Sequence, residues 1–382
     1  MYIGVDLLWV RTGICGGTES FIRNLLDGFA KYDSENNYLL FVSKDNKDSF
    51  KHYASNDNMA LYVCHVSSKS QPVRILWENF MLDKTAVKCK VEAMFIPVYS
   101  KPRSKGRIPY VTVIHDLQAL HYPQYFSWLK RMFLKHAWKN TCKTSSIVLT
   151  DSDYCRDDLK RNYPFAGDKI RTLYVPIAAS RRGTDDGGKV LEKFGVKKGE
   201  YDYCVSALLP HKNLLTVLKV LSKLKKQGRG KKLVLSGVGG DEAYFEDTVL
   251  KLGIEDLVIR TGYVTNEERD CLYENCRLFL FPSIFEGFGM PPIEAMRKGK
   301  RVVMTKESCL YEVTEGRAFY VDDAFDADEW IEKMDAALRS TEEIQKFDKY
   351  SPQNIVRQYG EIFAKVTPAD GGWTVAIQPY EE

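Results

Sequence analysis

The sequence of 382 residues contains few of the patterns that mark metal, nucleic-acid or membrane-spanning proteins. Its nine cysteines form no C-x-x-C pair and stand in no metal-ligand spacing with the six histidines, which argues against a zinc or dithiol site. The net charge is only +4, so composition does not indicate a nucleic-acid partner. No apolar run approaches the ~18 residues that a membrane span requires. With 44% apolar residues, the chain is expected to fold around a large core.

The amino terminus lacks the basic residues and the cleavage site of a signal peptide. It begins with Met1-Tyr-Ile-Gly-Val-Asp-Leu-Leu-Trp9, a pattern typical of a first strand. The odd number of scattered cysteines favours free thiols in a reducing compartment over disulfides. We therefore expect a cytoplasmic protein, with peripheral contact at a membrane surface as an open alternative.

Short apolar runs alternate along the chain with longer helical patterns. Runs such as Ala93–Ile96 and Leu278–Phe281 are apolar throughout, as expected of parallel strands covered on both faces. Segments such as Glu19–Tyr32 and Leu214–Lys226 have helical periodicity. This alternation predicts an α/β fold with doubly wound sheets.

A polar, glycine-rich stretch from Ser180 to Gly188 separates two series of predicted strands, which indicates a boundary between two Rossmann-like domains. A cleft between two such domains is a natural place for a small-molecule site. The predicted segments are an N-terminal domain over 1–177, a linker over 178–199, a C-terminal domain over 200–350, a helix over 351–366 that packs back on the N-terminal domain, and a tail over 367–382.

The most informative segment runs from Phe281 to Met296 (FPSIFEGFGMPPIEAM), where a strand ends, a loop follows and two prolines open a helix. Backbone N–H groups at such a helix start favour an anion such as a diphosphate. Gly287 and Gly289 permit close approach of the backbone or a positive φ. Glu294 is expected in the first turn of the helix, where the dipole keeps it ionised, whereas Glu286 lies in the loop. The spacing of the two glutamates fits a structural alternative equally well, in which Glu294 only satisfies the N–H groups at the helix end and Glu286 is a solvated loop residue.

The same segment, followed by Gly299-Lys-Arg-Val-Val303, strongly resembles the signature of glycosyltransferase family 4, the group 1 glycosyltransferases. The resemblance implies the GT-B architecture, in which two Rossmann-like domains face each other across a cleft. The N-terminal domain would lie on the acceptor side and the C-terminal domain would bind a nucleotide-sugar. Further segments that resemble the family are Gly16-Gly17, Val113–Leu117, Leu209–Leu214, Leu235–Gly240, Gly262–Glu268 and Val302–Asp322.

The resemblance also implies a role for each matching residue. Glu286 would bind the donor sugar and Glu294 the nucleotide ribose. The backbone of the loop would contact the donor through Gly287, Phe288, Gly289 and Met290.

Three more residues complete the predicted site. Lys212 would contact the donor diphosphate and neutralise charge on it as it leaves. Gly17, at the start of its helix, would border the diphosphate from the other domain, and His115 would lie near the reacting sugar carbon. The predicted catalytic residues are thus Glu286, His115 and Lys212.

One departure concerns the arginine that many relatives carry around Ser206 as a second diphosphate clamp. Here the sequence is Tyr203-Cys-Val-Ser-Ala, so either Ser206 donates a hydrogen bond instead or a basic residue from elsewhere substitutes. The resemblance implies retention of anomeric configuration, no cofactor and no essential metal. Asp151-Ser-Asp153 has the spelling of a metal-binding D-x-D triplet, but its place after a strand favours a helix cap.

The sequence leaves the donor and the acceptor open. Arg74-Ile-Leu-Trp-Glu-Asn79 resembles a segment of many mannosyl- and rhamnosyltransferases of polysaccharide assembly, which favours GDP-mannose slightly over a UDP-sugar. The acceptor is expected to be a glycan or lipid-linked. The alternatives are a nucleotide-sugar epimerase of the same fold and a non-catalytic nucleotide-sugar-binding protein.

Two basic segments lie in the predicted N-terminal domain. Trp128–Lys139 has the pattern of a basic amphipathic helix, which favours a packed helix with solvated lysines over a role at a membrane surface. Ser100–Arg107 is a basic loop that is expected to be solvated, with an anionic acceptor or lipid headgroups as the alternative partners.

Overall fold

The computed structural model of the protein describes residues 1–99, 102, 106–177, 187–237, 239–344 and 347–366. Most of the basic loop 100–107, the first part of the predicted linker and the tail 367–382 lie outside the described residues.

The described residues form thirteen strands, two of which, Ala93–Ile96 and Phe279–Phe281, lie in the apolar runs named above. The strands are β1 Tyr2–Asp6, β2 Asn37–Ser43, β3 Met59–Cys64, β4 Ala93–Ile96, β5 Tyr110–Val113, β6 Ile147–Thr150, β7 Ile170–Thr172, β8 Tyr201–Val205, β9 Lys232–Ser236, β10 Val258–Gly262, β11 Phe279–Phe281, β12 Val302–Thr305 and β13 Phe319–Val321.

The α-helices lie between these strands and after the last of them. They are α1 Gly17–Tyr32, α2 Lys47–Phe50, α3 Gln71–Trp77, α4 Asp83–Lys88, α5 Gln118–His121, α6 Trp128–Thr144, α7 Asp153–Asn162, α8 Gly187–Lys193, α9 Leu214–Lys226, α10 Glu242–Leu252, α11 Asn266–Asn275, α12 Met290–Arg297, α13 Leu310–Val313, α14 Ala327–Arg339 and α15 Pro352–Val366. A π-helical turn, Glu78–Leu82, joins α3 to α4, and several 3-10 turns occur elsewhere, among them Pro210–Lys212.

The chain divides into two compact units. Unit 1 comprises Met1–Ala178 and Lys349–Glu382, and unit 2 comprises Ala179–Asp348. The sheet of unit 1 has the strand order β3-β2-β1-β4-β5-β6-β7, and that of unit 2 has the order β10-β9-β8-β11-β12-β13. Neighbouring strands are parallel in both sheets. These two parallel sheets with helices between their strands confirm the predicted α/β class.

Helices pack on the sheets and most strands are buried, whereas β10, at a sheet edge, is half-buried along its length. In unit 2, α9 turns Val217, Leu221 and Leu224 into a core that Trp330 of α14 also enters. In unit 1, the helix α15 packs on α1, with the rings of Tyr359 and Phe363 5.6 and 6.2 Å from that of Phe29. Apolar burial of this kind supplies most of the stability of such layers.

Some boundaries differ from those expected from the sequence. The sequence pattern also predicts a strand over Arg171–Val175. The structure has this strand at Ile170–Thr172, at the edge of the sheet, and Leu173 and Val175 are buried without belonging to a strand. Within the predicted linker 178–199, Gly187–Lys193 form α8, which packs on α11. None of the helices in the described part of the chain is long and apolar enough to cross a membrane.

Candidate functional site

The loop between β11 and α12 in unit 2 follows the predicted plan of strand, loop and helix. The buried strand Phe279–Phe281 ends, and α12 begins at Met290 with two prolines in its first turn. Gly289 precedes the helix with φ of +87°. A Cβ atom at this glycine would lie 2.7 Å from Cδ2 of Leu310, so both the conformation and the space require glycine.

A turn twenty residues further along the chain supports this loop. The N–H of Glu286 donates to Oγ of Ser308 at 3.0 Å. The thiol of Cys309 lies 3.3 Å from the carbonyl oxygens of both Glu286 and Phe288, and the rings of Phe285 and Phe288 are buried. The loop backbone is therefore fixed from the protein side. No sequence pattern had singled out Ser308 or Cys309.

Glu286 forms an ion pair with Lys212. Lys212 Nζ lies 2.6 Å from Glu286 Oε1, and the two side chains are 20% and 14% exposed. Lys212 ends the short turn after β8, and β8 neighbours β11 in the sheet. Because carboxyl ends of parallel strands meet at one edge, the fold brings together two residues that are 74 positions apart in the sequence.

A backbone link holds the two loops in register. The N–H of Ile284 donates to the carbonyl oxygen of His211 at 2.9 Å, and Oγ of Ser283 donates to the same oxygen at 3.3 Å. Burial and the positive charge of Lys212 lower the pKa of the His211 side chain to about 4. His211 is therefore neutral near pH 7, and the positive charge at this point is that of Lys212.

The sequence predicts Glu294 in the first turn of its helix. The structure has it in the second turn instead, because α12 begins at Met290. Its partners are side chains of α11 rather than helix-end N–H groups. Tyr273 donates its hydroxyl to Oε2 at 2.9 Å, and Nη2 of Arg269 lies 3.6 Å from Oε1. Burial, together with the charge of Glu294, raises the pKa of Tyr273, which keeps this donor protonated. The charge of Glu294 also raises the pKa of Arg269.

Ser206 follows β8 directly. Its Oγ donates to the carbonyl oxygen of Ala207 at 3.0 Å, so the hydroxyl is turned towards its own backbone. The turn after β9 packs closely against this point, since a Cβ at Gly237 would lie 2.1 Å from the carbonyl oxygen of Ser206. Arg269 is a basic side chain of the same unit, but its described carboxylate partner is Glu294. The two predicted substitutes for the missing arginine, a hydrogen bond from Ser206 and a basic residue from elsewhere, both stay predictions.

The other two predicted site residues belong to unit 1. Gly17 is the first residue of α1, after Gly16 with φ of +56°. His115 lies after β5, and both of its ring nitrogens face acceptors: Nδ1 is 2.6 Å from Oδ2 of Asp151 and Nε2 is 2.9 Å from the carbonyl oxygen of Pro97. The predicted contact of His115 with the reacting carbon stays a prediction.

The environment of His115 favours its charged form. Burial lowers its pKa, but the charge and hydrogen bond of Asp151 raise it by more, and the net pKa lies above the ordinary value. Because both partners accept hydrogen bonds, a proton on each nitrogen satisfies the arrangement.

The Asp151-Ser-Asp153 triplet is used within unit 1. Oγ of Ser152 caps α7 by accepting from the N–H of Cys155. Asp151 pairs with His115, and Asp153 pairs with Arg156 and Thr172. Each carboxylate thus has a protein partner, in line with the reading of the triplet as a cap.

Comparisons with known proteins connect both units to one family. The profile described as Glycosyl transferases group 1 matches residues 191–354, and the profile described as Glycosyltransferase Family 4 matches residues 15–181. O-antigen chain mannosyltransferase B of Escherichia coli is 30% identical over 226 residues, which are 57% of this chain and 58% of the relative. O-antigen chain mannosyltransferase RfbU of Salmonella typhimurium is 26% identical over 237 residues, 62% of this chain and 63% of the relative.

The chain thus spans about three fifths of the length of these curated relatives. In fold it is similar to the crystal structure of Anabaena Alr3699/HepE in complex with UDP and glucose, with a TM-score of 0.71 at 18% identity, covering 96% of this chain and 100% of that one. The match over residues 191–354 spans the motifs around Lys212, Glu286 and Glu294. The chain belongs to the group 1 glycosyltransferases, glycosyltransferase family 4.

Proposed function

We propose that this protein is a retaining glycosyltransferase that moves a hexose from a nucleotide-sugar to a glycan or lipid-linked acceptor, without an essential metal. The observation that carries the proposal is the Lys212–Glu286 pair, which joins two strand-end loops beside the start of α12. A cation and a carboxylate at the edge of a parallel sheet are what a sugar diphosphate requires: charge for the phosphates and an acceptor for the hydroxyls.

In this proposal Lys212 and Glu286 bind different parts of the donor. Lys212 turns to the diphosphate and neutralises the charge that grows on it as the sugar leaves. Glu286 accepts hydrogen bonds from sugar hydroxyls and fixes the ring against Phe288 and Gly289. The hydrogen bonds with Ser308 and Cys309 keep the loop in place. The free energy of donor binding therefore goes into positioning the sugar.

The proposed reaction needs no protein base. The bond between the anomeric carbon and the phosphate oxygen breaks, and a bond from the acceptor hydroxyl oxygen forms on the same face of the sugar. The leaving phosphate oxygen takes the acceptor proton, which conserves the anomeric configuration. The carboxylates of Asp151 and Asp153 have partners within unit 1, which supports a route that does not use this triplet as a metal site.

GDP-mannose is the proposed donor, and a UDP-hexose is the second choice. Two curated relatives are named O-antigen chain mannosyltransferases, and the segment Arg74–Asn79 resembles those of many mannosyl- and rhamnosyltransferases. The structurally similar Anabaena protein is in complex with UDP. Because these relatives are named O-antigen chain mannosyltransferases, we propose a growing glycan as the acceptor.

Thermal unfolding in the presence of GDP, UDP and ADP tests the donor class, and GDP is expected to raise the unfolding temperature most. Incubation with GDP-mannose and a lipid-linked or soluble mannoside acceptor is then expected to give an α-linked product by NMR, with undiminished rate in EDTA. Stabilisation by no nucleotide would contradict the whole proposal. Conversion of the donor to an isomeric sugar without acceptor would indicate an epimerase instead.

A further inference from the structure

A cavity of about 250 Å³ lies at the edge of unit 2 where the parallel strands begin. Lys231 directly precedes β9 and Arg277 stands two residues before β11, and both side chains line the cavity. The remaining lining residues come from α9, from the turn that follows it and from α14. Because Lys212 and Glu286 follow the other ends of β8 and β11, the cavity lies at the opposite edge of the sheet from them.

One side of the cavity is apolar. It consists of side chains from two packed helices, namely Leu224 of α9 and Ile331, Met334 and Leu338 of α14. The first three are buried, whereas Leu338 is 41% exposed. An apolar cavity of about 150 Å³ can hold a benzene molecule, so this one has room for a ligand of roughly ten non-hydrogen atoms.

The other side carries Arg277, whose guanidinium is fixed by one carboxylate and keeps donors to spare. Nε donates to Oδ1 of Asp202 at 2.9 Å, and Nη2 donates to Oδ2 at 2.6 Å. Asp202 is a buried residue of β8. A guanidinium has five N–H donors, so three remain, and no acceptor in the described part of the chain bonds to them. The Arg277 side chain is only 19% exposed, so a ligand that accepts from these donors is favoured.

Two further cations and one carboxylate line the cavity. Arg229 forms an ion pair with Asp335 of α14. Lys231 is exposed, and among the described residues no carboxylate pairs with it. Three cations thus stand against one carboxylate in the lining, so the cavity keeps a positive excess when Asp335 is ionised.

We propose that this cavity binds a small organic phosphate, a phosphate monoester on a short apolar body. The apolar body covers Ile331, Met334 and Leu338. The phosphate accepts hydrogen bonds from Arg277 and Lys231, because its oxygens suit a guanidinium fork and an ammonium. A phosphate monoester carries nearly two negative charges near pH 7, which matches the positive excess better than a carboxylate does.

Simpler ligands use only part of the cavity. Inorganic phosphate leaves Leu338 and the rest of the apolar side in contact with water. A neutral apolar molecule leaves the donors of Arg277 without an acceptor. A lipid with long acyl chains exceeds the volume of about 250 Å³. The combination of a fixed guanidinium, a free ammonium and an apolar wall therefore favours a ligand that is both small and amphipathic.

The cavity is separate from the predicted donor residues of the same unit. Helix α9 begins at Leu214, two residues after Lys212, and contributes Leu224 to the cavity. The helix rises roughly 15 Å between Leu214 and Leu224. Neither Lys212 nor Glu286 lines the cavity, so binding there does not depend on the proposed function.

The test is a ligand-observed NMR titration of the full chain with hexyl phosphate. Inorganic phosphate and 1-hexanol are the matched probes, since each carries one half of hexyl phosphate. We expect saturable binding of hexyl phosphate, and binding of either half that is weaker by at least about tenfold.

Three substitutions in the lining are expected to weaken the binding of hexyl phosphate. Lys231→Glu should do so by about tenfold, because it replaces a cation by an anion. Arg277→Lys keeps a cation beside Asp202 but has fewer donors, and a similar loss is expected. Leu338→Ser should weaken binding by about fivefold through the loss of apolar contact.

Matched controls lie at exposed positions of unit 2 outside the cavity. Lys219→Glu on α9 and Leu250→Ser on α10 are expected to bind hexyl phosphate as the unmodified chain does. Lys212→Ala is also expected to bind it unchanged, which distinguishes the cavity from the predicted diphosphate site. Unfolding temperatures establish that the variants are folded, and the exposed Lys231 and Leu338 keep the test decisive if Arg277→Lys is unstable.

Several results would overturn the proposal. They are the absence of saturable binding, equal affinity for hexyl phosphate and 1-hexanol, and equal losses in Lys219→Glu and Lys231→Glu. Displacement of hexyl phosphate by GDP, or its loss in Lys212→Ala, would assign the probe to the donor site and would overturn the proposal as well. Binding of hexyl phosphate by a chain that binds no nucleotide would support this site and contradict the proposed function.

Discussion

Two short acid–base pairs lie near the carboxyl ends of strands, one in each unit, and they differ in how they are enclosed. Lys212 Nζ and Glu286 Oε1 are 2.6 Å apart in unit 2, and His115 Nδ1 and Asp151 Oδ2 are 2.6 Å apart in unit 1. An ammonium has three N–H donors, and the pair with Glu286 uses one. Both ring nitrogens of His115 are committed, the second to the carbonyl oxygen of Pro97.

The Lys212–Glu286 pair can rearrange around a ligand, whereas both ring nitrogens of His115 have partners within unit 1, and the predicted contact of His115 with the reacting carbon stays a prediction. Lys212 can turn to a phosphate without losing its charge, and its long side chain permits the movement. The imidazole of His115 can leave its partners only by leaving a buried carboxylate and a carbonyl oxygen unpaired, which is costly. A short distance alone therefore does not identify a reactive group. The better guide to a reactive group is the number of hydrogen-bonding positions that the pair leaves available.

Replacement of Lys212 is expected to have the largest effect on turnover. Lys212→Ala removes the proposed charge stabilisation of the leaving diphosphate and should lower kcat by about 10²–10³-fold, with weaker donor binding as well. Initial rates with GDP-mannose measure the first effect and calorimetry with GDP the second. Lys223→Ala, an exposed lysine on α9 that pairs with Asp328, is the control. If His115→Gln lowered kcat as far as Lys212→Ala, the distinction between the two pairs would be broken.

The next largest effect is expected for Glu286→Gln, which keeps the shape of the side chain and removes its charge. Turnover should fall by about 10²-fold because the sugar loses a charged acceptor. Affinity for GDP alone should stay equal or increase, since Lys212 no longer has a competing carboxylate. Calorimetry with GDP, set against rates with GDP-mannose, separates the two. Equal losses in both would show that Glu286 and Glu294 do not divide the donor between them.

Part of this site could be predicted from the sequence and part could not. The strands and the loop before α12 were predictable because apolar runs, Gly289 and the paired prolines act locally. The contact of Lys212 with Glu286 was not predicted, although it agrees with the rule that the ends of parallel strands meet at one edge. The support from Ser308 and Cys309 and the pairing of Tyr273 with Glu294 depend on side-chain packing between distant turns.

Like His115, Glu294 is bonded to side chains of its own unit, and like Lys212 it belongs to the predicted donor site. A substitution of Tyr273 tests its role. Tyr273→Phe removes one hydrogen bond to Oε2, worth about 1 kcal/mol, so affinity for GDP should fall by about fivefold. If Tyr273 acts by orienting Glu294 towards the ribose, the loss should be absent with a 2′,3′-dideoxy analogue of GDP. Tyr263→Phe, at an exposed tyrosine of the same unit, should change neither affinity. A loss that is the same for both nucleotides would make Tyr273 a packing residue only.

The smallest expected effect is a change in the pH dependence of stability through His115. Its pKa in the folded chain is raised, against the effect of burial, by the charge and hydrogen bond of Asp151. The folded state therefore binds this proton more tightly than the unfolded chain, whose histidine pKa is about 6.5. The stabilisation is complete below that pH and is lost as the pH rises through the folded value. Unfolding temperatures of the unmodified chain and of His115→Gln should accordingly differ most below about pH 6.5, the pKa of an unfolded histidine, and converge as the pH rises through the raised pKa of the folded state. Asp151→Asn should remove the same pH-dependent part, because the neutral amide no longer favours the imidazolium. A difference that instead grew with pH would mean that His115 is held neutral, with a free nitrogen to offer a substrate, and the contrast with Lys212 would disappear.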